Sequence, residues 1–149
     1  MSKSNTWESD LLKLVFNNTA VALIGDAVGL VGSTTAGVLY VSLHTSDPTD
    51  GGSQTSSESV YSGYARVSVA RTIGAWTVSG TSPTQAVNVA QVTFPQCTGG
   101  TESLTYCGIG TESSGGGKLL YSGALQSPLA VSNNITPSIA SGTLIITED

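Results

Sequence analysis

Apolar and polar positions alternate in short runs along most of this chain. In residues 38–44, Leu39, Val41 and Leu43 fall on one side, and Tyr40, Ser42 and His44 on the other. In residues 64–71, Ala65, Val67 and Val69 oppose Tyr64, Arg66 and Ser68. A period of two places one face of a strand in a core and the other toward water or a partner. Further strand-like runs follow at residues 75–79, 85–94, 104–111, 118–125 and 142–147, separated by Gly, Pro and Asn turn signals. The run at 85–94 changes parity: Val87 and Val89 share one side, Val92 and Phe94 the other. A β-bulge at Ala90-Gln91 would restore a single inward face. Pro128 opens a short segment through Ser132, and about eight short strands in all predict an all-β sandwich or jelly roll.

Only the N-terminus has helical spacing. Trp7, Leu11, Leu14 and Val15 form one stripe, Asn5 or Thr6 supplies a cap, and Glu8 and Asp10 sit in the first turn, where acids complement the helix dipole. Asn17-Asn18 stops the helix. Such a helix either covers an open edge of its own sheet or docks on a neighbouring subunit, and the large Trp7 and Phe16 side chains favour docking. Residues 20–37 carry Gly25, Gly29 and Gly32, too many for a stable helix, and read as an extended connector. If nothing within the monomer covers its Val and Leu side chains, a partner does. The predicted organisation is a helix and connector arm at residues 1–37 and one jelly-roll-like β-sandwich domain at 38–149.

Composition narrows the function. Charged residues are 10% of the 149, against roughly 25% in an average soluble domain. A surface this poor in charge can be covered by neighbours with little ion desolvation, which suits an assembly subunit. The net charge of −5 gives no basic footprint for nucleic acid or anionic lipid. Residues 1–5 lack the features of a signal peptide. The apolar stretch at 19–43 contains Asp26 and several glycines, which argues against a membrane span.

Candidate chemistry is sparse. The one histidine, His44, lies near Ser42 and Asp47 at a strand end, where a structural role at the loop base is favoured over a catalytic one. Asp47 and Asp50 lack the ordered oxygen array of a calcium loop, and a turn capped by Asp47 is the simpler reading. Gly115-Gly116-Gly117-Lys118 is followed by Leu119, so the phosphate-loop motif is not met. Glu102 and Glu112 flank one strand, too far apart for a glycosidase pair. Cys97 and Cys107 read as free, partly buried thiols rather than a disulfide. No catalytic residue, metal ligand, cofactor or small-molecule substrate is assigned, and the chain is read as a non-enzyme.

Several segments carry a family likeness: L-Y-V-S-L-H-T-S-D-P from Leu39, G-Y-A-R-V-S-V-A-R from Gly63, W-T-V-S-G, V-T-F-P, Y-C-G-I-G-T, and I-T-P-S-I-A-S-G-T-L-I-I-T-E-D to the C-terminus. Together they resemble a group of small virion proteins of tailed bacteriophages, some described as capsid decoration (cement) proteins and others as tail-fibre-like. Cys107 stands where His, Phe or Trp is expected in that pattern. The resemblance implies a β-sandwich and a structural role. The fuller expectation is a decoration protein on the outer capsid surface, synthesised in the host cytoplasm, with the major capsid protein and its own copies as partners, as a trimer. It would stabilise the shell because it binds the assembled lattice and not its separated parts. A tail-fibre, collar or baseplate component is the alternative. The interface residues expected on either reading are Trp7, Leu11, Leu14, Phe16, Tyr64 and Arg66.

Overall fold

A computed structural model describes residues 2–148. The architecture is all-β and sandwich-like with one N-terminal helix, as the alternation predicts. The helix is α1 (Asn5–Asn17), and the strands are β1 (Val38–His44), β2 (Val67–Ala70), β3 (Trp76–Ser79), β4 (Thr84–Asn88), β5 (Val92–Thr93), β6 (Glu102–Gly110), β7 (Leu119–Val131), β8 (Ser138–Ile139) and β9 (Ile145–Glu148). The chain divides into two compact units, one of Met1–Val38, Ala70–Gln91 and Ala140–Asp149, the other of Leu39–Val69 and Val92–Ile139.

In the first unit, α1 packs on the antiparallel sheet β3-β4-β9. Its N-cap is Ser4, one residue ahead of the predicted cap, with the hydroxyl accepting the Trp7 N–H at 3.3 Å. Asn18 ends it in the left-handed region, as its sequence position suggests. The buried stripe is Glu8, Leu12 and Phe16, spaced i, i+4, i+8, rather than the predicted Trp7, Leu11, Leu14 and Val15, which are half-buried. Opposite this stripe lie Trp76, Thr84, Ala86, Asn88 and Ile146, all buried and all on one face by register. The Phe16 and Trp76 rings stand 4.8 Å apart. Burial of Phe16 in its own unit corrects the expectation that it anchors a neighbour. Arg71 closes the other end of the helix: Nε donates to the Val15 carbonyl and Nη2 to that of Leu14, each at 2.7 Å. These carbonyls have no intrahelical partner, and a cation there also complements the dipole. The same guanidinium reaches the Ala36 carbonyl through Nη1, and the Arg71 amide bonds the Gly37 carbonyl.

The parity change at 85–94 has a different cause from the predicted bulge. β4 ends at Asn88, and β5 starts at Val92 in another sheet, paired with β8. The buried face of β4 is Thr84, Ala86 and Asn88, which leaves Val87 half-buried and Val89 exposed, so the valines that suggested a parity change are not its inward face. Asn88 fixes the break: its Nδ2 donates to the carbonyls of Ala90 and Ala140, and its Oδ1 accepts the Leu144 N–H.

The second unit holds the four-stranded sheet β2-β1-β6-β7 and the β5-β8 ribbon. β1 is central, and Val41, Ser42, Leu43 and His44 are all buried, so both of its faces are covered. Its antiparallel register with β6 runs from Tyr40↔Gly110 to His44↔Tyr106. The segments predicted at 118–125 and 128–132 are one strand, β7, bent where the register shifts from Leu104↔Leu129 to Tyr106↔Ala124. Pro128 sits in that irregularity on an edge strand, where a missing N–H costs no ladder bond. The strand predicted at 64–71 is regular only over Val67–Ala70.

Candidate functional site

Arg66 was predicted to point outward. It lies buried in the second unit, and its side chain is 2% exposed. The guanidinium grips Glu58 in a bidentate pair, Nε to Oε1 at 2.6 Å and Nη2 to Oε2 at 2.7 Å. Its remaining reach goes to backbone: Nη1 to the Glu112 carbonyl at 2.9 Å and Nη2 to the Gly115 carbonyl at 2.7 Å. The half-buried Tyr64 hydroxyl donates to Glu58 Oε1 at 3.0 Å and accepts the Leu43 N–H. Pairing with Glu58 raises the Arg66 pKa, and burial raises that of Tyr64, so the cluster is a cation, an anion and a neutral phenol. Arg66 and Tyr64, both predicted to contact a neighbour, instead spend their donors on their own chain.

Gln54 extends this cluster. It has no exposed surface, its Oε1 accepts the N–H groups of Thr111 and Glu112 at 3.0 and 2.9 Å, and its backbone N–H meets the Gly116 carbonyl. Gly110 and Gly117 make room for it, since a Cβ at either position would lie 2.1 Å from the Gln54 side chain. The loop at 49–59 is thus fastened to the turn at 111–118. Ser59 ties its end by donating to Glu102 Oε2 at 2.5 Å.

His44 stands at the loop base, as expected. The Ser56 carbonyl, 2.8 Å from Nδ1, can only accept, so Nδ1 carries the proton and Nε2 accepts from the Ser42 hydroxyl at 2.8 Å. A serine bonded to a neutral imidazole is a nucleophile–base pair in form. Here both residues are wholly buried, and Gly108 leaves no space beside them: a Cβ there would sit 2.8 Å from each polar atom. The pair has no exposed surface and ties β1 to the loop through Ser56. Burial lowers the His44 pKa below its ordinary value, partly opposed by the Ser56 hydrogen bond. Asp47 caps its own turn by accepting the Thr49 N–H. Cys97 and Cys107 are free and buried. Among the described residues no group of three or more His, Cys, Asp or Glu side chains is placed to hold a metal ion, and no helix is long and apolar enough to cross a membrane.

The first unit carries a different kind of site. Residues 21–30 form a loop closed by reciprocal Val21–Leu30 backbone bonds at 2.9 Å. Asp26 Oδ1 accepts the Val28 and Gly29 N–H groups, and the Asn18 side chain clamps both backbone groups of Ser33. Gly29 is required, because a Cβ would lie 2.0 Å from the Val21 carbonyl oxygen. This well-braced loop exposes Leu23 (81%), Val28 (65%) and Val31 (68%), along with Ile24 and Leu30. A single charge, Asp26, interrupts residues 19–38. An ordered apolar patch left in water marks a contact surface. The sequence showed that these side chains needed a cover, and the structure places none over them within the unit.

Of the interface residues read from sequence, Trp7, Leu11 and Leu14 are half-buried on α1, while Phe16 and Arg66 are buried. Tyr64 and Arg66 belong to the second unit and the others to the first. The residues that sequence reasoning missed are Glu58, Gln54 and Asn88. Gln54 and Asn88 reach partners 52 to 58 residues away, and Glu58, only six and eight residues from Tyr64 and Arg66, lies in a loop with no periodic pattern to orient it.

No curated protein matches the chain. A family model described as podophage GP4 fiber I protein gp80 matches residues 2–147, nearly the whole length. An all-β chain whose buried polar side chains brace its loops carries that match throughout: the protein belongs to the podophage GP4 fiber I protein gp80 family of phage virion proteins.

Proposed function

We propose that this protein is a non-enzymatic structural subunit of a virion fibre, held in the particle through the apolar loop at residues 21–31. The observation that carries the proposal is the braced loop itself, with Leu23, Val28 and Val31 mostly in water. The family match to a fibre protein favours a fibre over the capsid-decoration role expected from sequence. Function here is binding energy. Covering the loop removes apolar area at about 25 cal/mol per Å², and a loop already held by Asp26 and Asn18 loses little entropy on docking.

The test uses Leu23→Ser with Val28→Ser in virions whose own copy of the gene is replaced. Deletion of the helix is unsuitable, because Leu12 and Phe16 belong to the core of the first unit. Quantitative mass spectrometry of purified particles gives the copy number. The expected result is a few tens of wild-type copies or fewer and loss of the double variant from particles. Hundreds of copies would overturn the fibre assignment in favour of decoration, and normal incorporation of the variant would overturn the role of the loop.

A further inference from the structure

We propose that Lys3 and Glu148 condense to an amide, a covalent staple that the first unit forms on itself at the N-terminal end of α1. The Lys3 ammonium, one residue ahead of the Ser4 cap, pairs with Glu148 Oε2 on β9. Two further polar groups at this end of the helix have no bond of their own. Among the described residues, Glu8 Oε2 and Thr84 Oγ1 are buried without a hydrogen-bond partner. Glu8 is 3% exposed and Thr84 not at all. Buried polar atoms of this kind are rare, and each calls for an explanation. The third, Trp76 Nε1, belongs to a residue at the Phe16 end of the helix.

Both ends of α1 are fixed on the sheet, and the placement of Glu8 follows from them. Phe16 stands against Trp76, which pairs with Asn88. Lys3 reaches Glu148, which pairs with Thr84. From Phe16 back to Glu8 the helix covers about 12 Å, and from Asn88 back to Thr84 the strand covers about 13 Å. Glu8 therefore lies toward the Thr84–Glu148 pair, one turn from Ser4, whose carbonyl accepts its N–H. Thr84, Ile146 and Glu148 are buried on the same, helix-facing side of the sheet. Directly opposed residues hold their Cβ atoms about 4.5–5.5 Å apart, which brings the Thr84 hydroxyl beside the Glu148 carboxyl group.

An amine, a carboxyl group, a free acceptor and a free donor are the parts a condensation needs. A proton passes from the Lys3 ammonium to the Glu148 carboxylate, and the neutral Nζ attacks Cδ. The Thr84 hydroxyl donates to the oxyanion that forms. Glu8 Oε2 takes the second amine proton and hands it to the departing Glu148 oxygen. A C–N bond forms, a C–O bond breaks and one water leaves; nothing is oxidised or reduced. Holding the pair in contact supplies the effective concentration that a free amine and acid lack in water. The Glu148 side chain is 11% exposed, which shields the amide from hydrolysis, while that of Lys3, 35% exposed, gives the released water a way out. The staple would span a sequence separation of 145 residues and hold the start of α1 to β9. The inference concerns the covalent state of the first unit and stands independently of the fibre reading.

The experiment uses the full purified chain, read by intact mass and by tandem mass spectrometry after trypsin. The expected wild-type result is a chain lighter than its sequence by one water, uncut after Lys3, with a branched peptide joining Lys3 to Glu148. Lys3→Arg and Glu148→Ala should keep the full mass. Glu8→Gln and Thr84→Val retain the reacting pair and each remove one helper. Each should carry at least about tenfold less joined chain at equal time after synthesis, with the far-UV circular dichroism of the wild type. Glu8→Asp should recover part of the loss, whereas a Glu8 that only packs would leave the joined fraction of Glu8→Gln unchanged. A wild-type chain of full mass with Lys3 open to trypsin would overturn the proposal, as would undiminished joining in a folded Glu8→Gln. Should Glu8→Gln fail to fold, the wild-type mass and Thr84→Val decide.

Discussion

Removing the Glu58 carboxylate by Glu58→Ala tests whether the buried polar cluster holds the second unit together. The substitution deletes two charge-assisted bonds from Arg66, at 2.6 and 2.7 Å, and one from Tyr64 at 3.0 Å. Arg66 then remains buried with only the Glu112 and Gly115 carbonyls as acceptors, and those neutral dipoles do not balance a full charge. Breaking a buried ion pair from one side costs about 3–5 kcal/mol, most of it the penalty for the stranded partner. That is a large part of the roughly 5–15 kcal/mol that holds a domain folded. The assay is urea unfolding followed by far-UV circular dichroism, with hydrogen exchange at residues 111–118 as a local probe. A double-mutant cycle with Arg66→Met separates the pair from its surroundings. Because the double variant strands no charge, it should lose less than the sum of the single variants, by about 1–3 kcal/mol. A loss below about 1 kcal/mol for Glu58→Ala, or an additive cycle, would refute the reasoning.

Two further outcomes follow from the same region. His44 is neutral in the fold with its pKa lowered by burial, while the unfolded chain takes up a proton below about 6.5. Its contribution to stability is therefore complete above that pH and declines as pH falls toward the folded value, by at most about 1.4 kcal/mol per pH unit. Melting between pH 7.5 and 5 should show this decline and lose its His44 component in His44→Gln; an unchanged slope refutes it. Gly110→Ala would place a methyl group 2.1 Å from Gln54 Cδ. It should cost about 1–3 kcal/mol by overpacking, and Gln54→Ala in the same chain should recover part of that loss. A melting temperature equal to wild type would show that Gln54 moves aside freely.

Short-range physics made much of this molecule readable. The Asn18 stop and the Asp47 turn depend on neighbours within a few residues, whereas the Ser42 and His44 face of β1, expected to look outward, is covered. The exposed connector was legible too, because its glycines rule out a helix whatever surrounds it. The errors came where distant partners decide. Arg66 looked outward because strand parity was carried back past Val67, where the regular strand begins, and its acid lies in a loop with no pattern of its own. The run at 85–94 looked like one bulged strand because Val87 and Val89 were taken as its inward face, whereas two sheets take one half each and β4 buries Ala86 and Asn88 instead. α1 buries Glu8, Leu12 and Phe16 because the sheet beneath it selects that stripe, and the sequence offers two adjacent ones. The apolar loop was recognised as needing a cover; Asp26 braces it through a local turn like that of Asp47, but the Asn18 clamp on Ser33 spans 15 residues and follows from no spacing rule.

Arg71 and Asn88 together give the first unit an unusual kind of independence. Chain leaves that unit twice, after Val38 and after Gln91, and returns at Ala70 and Ala140. Arg71 stitches the first departure shut through Ala36 and Gly37, and Asn88 stitches the second through Ala90 and Ala140. Two closed loops therefore hang from two clasps, and everything between each pair of ends is, for the first unit, an insert. The entropy of closing a loop rises only with the logarithm of its length, about 0.6 kcal/mol per doubling. The material spliced between the clasps can lengthen, shorten or be exchanged at small cost to the unit that carries it. A virion protein built this way can exchange the inserted chain and keep the unit that carries it.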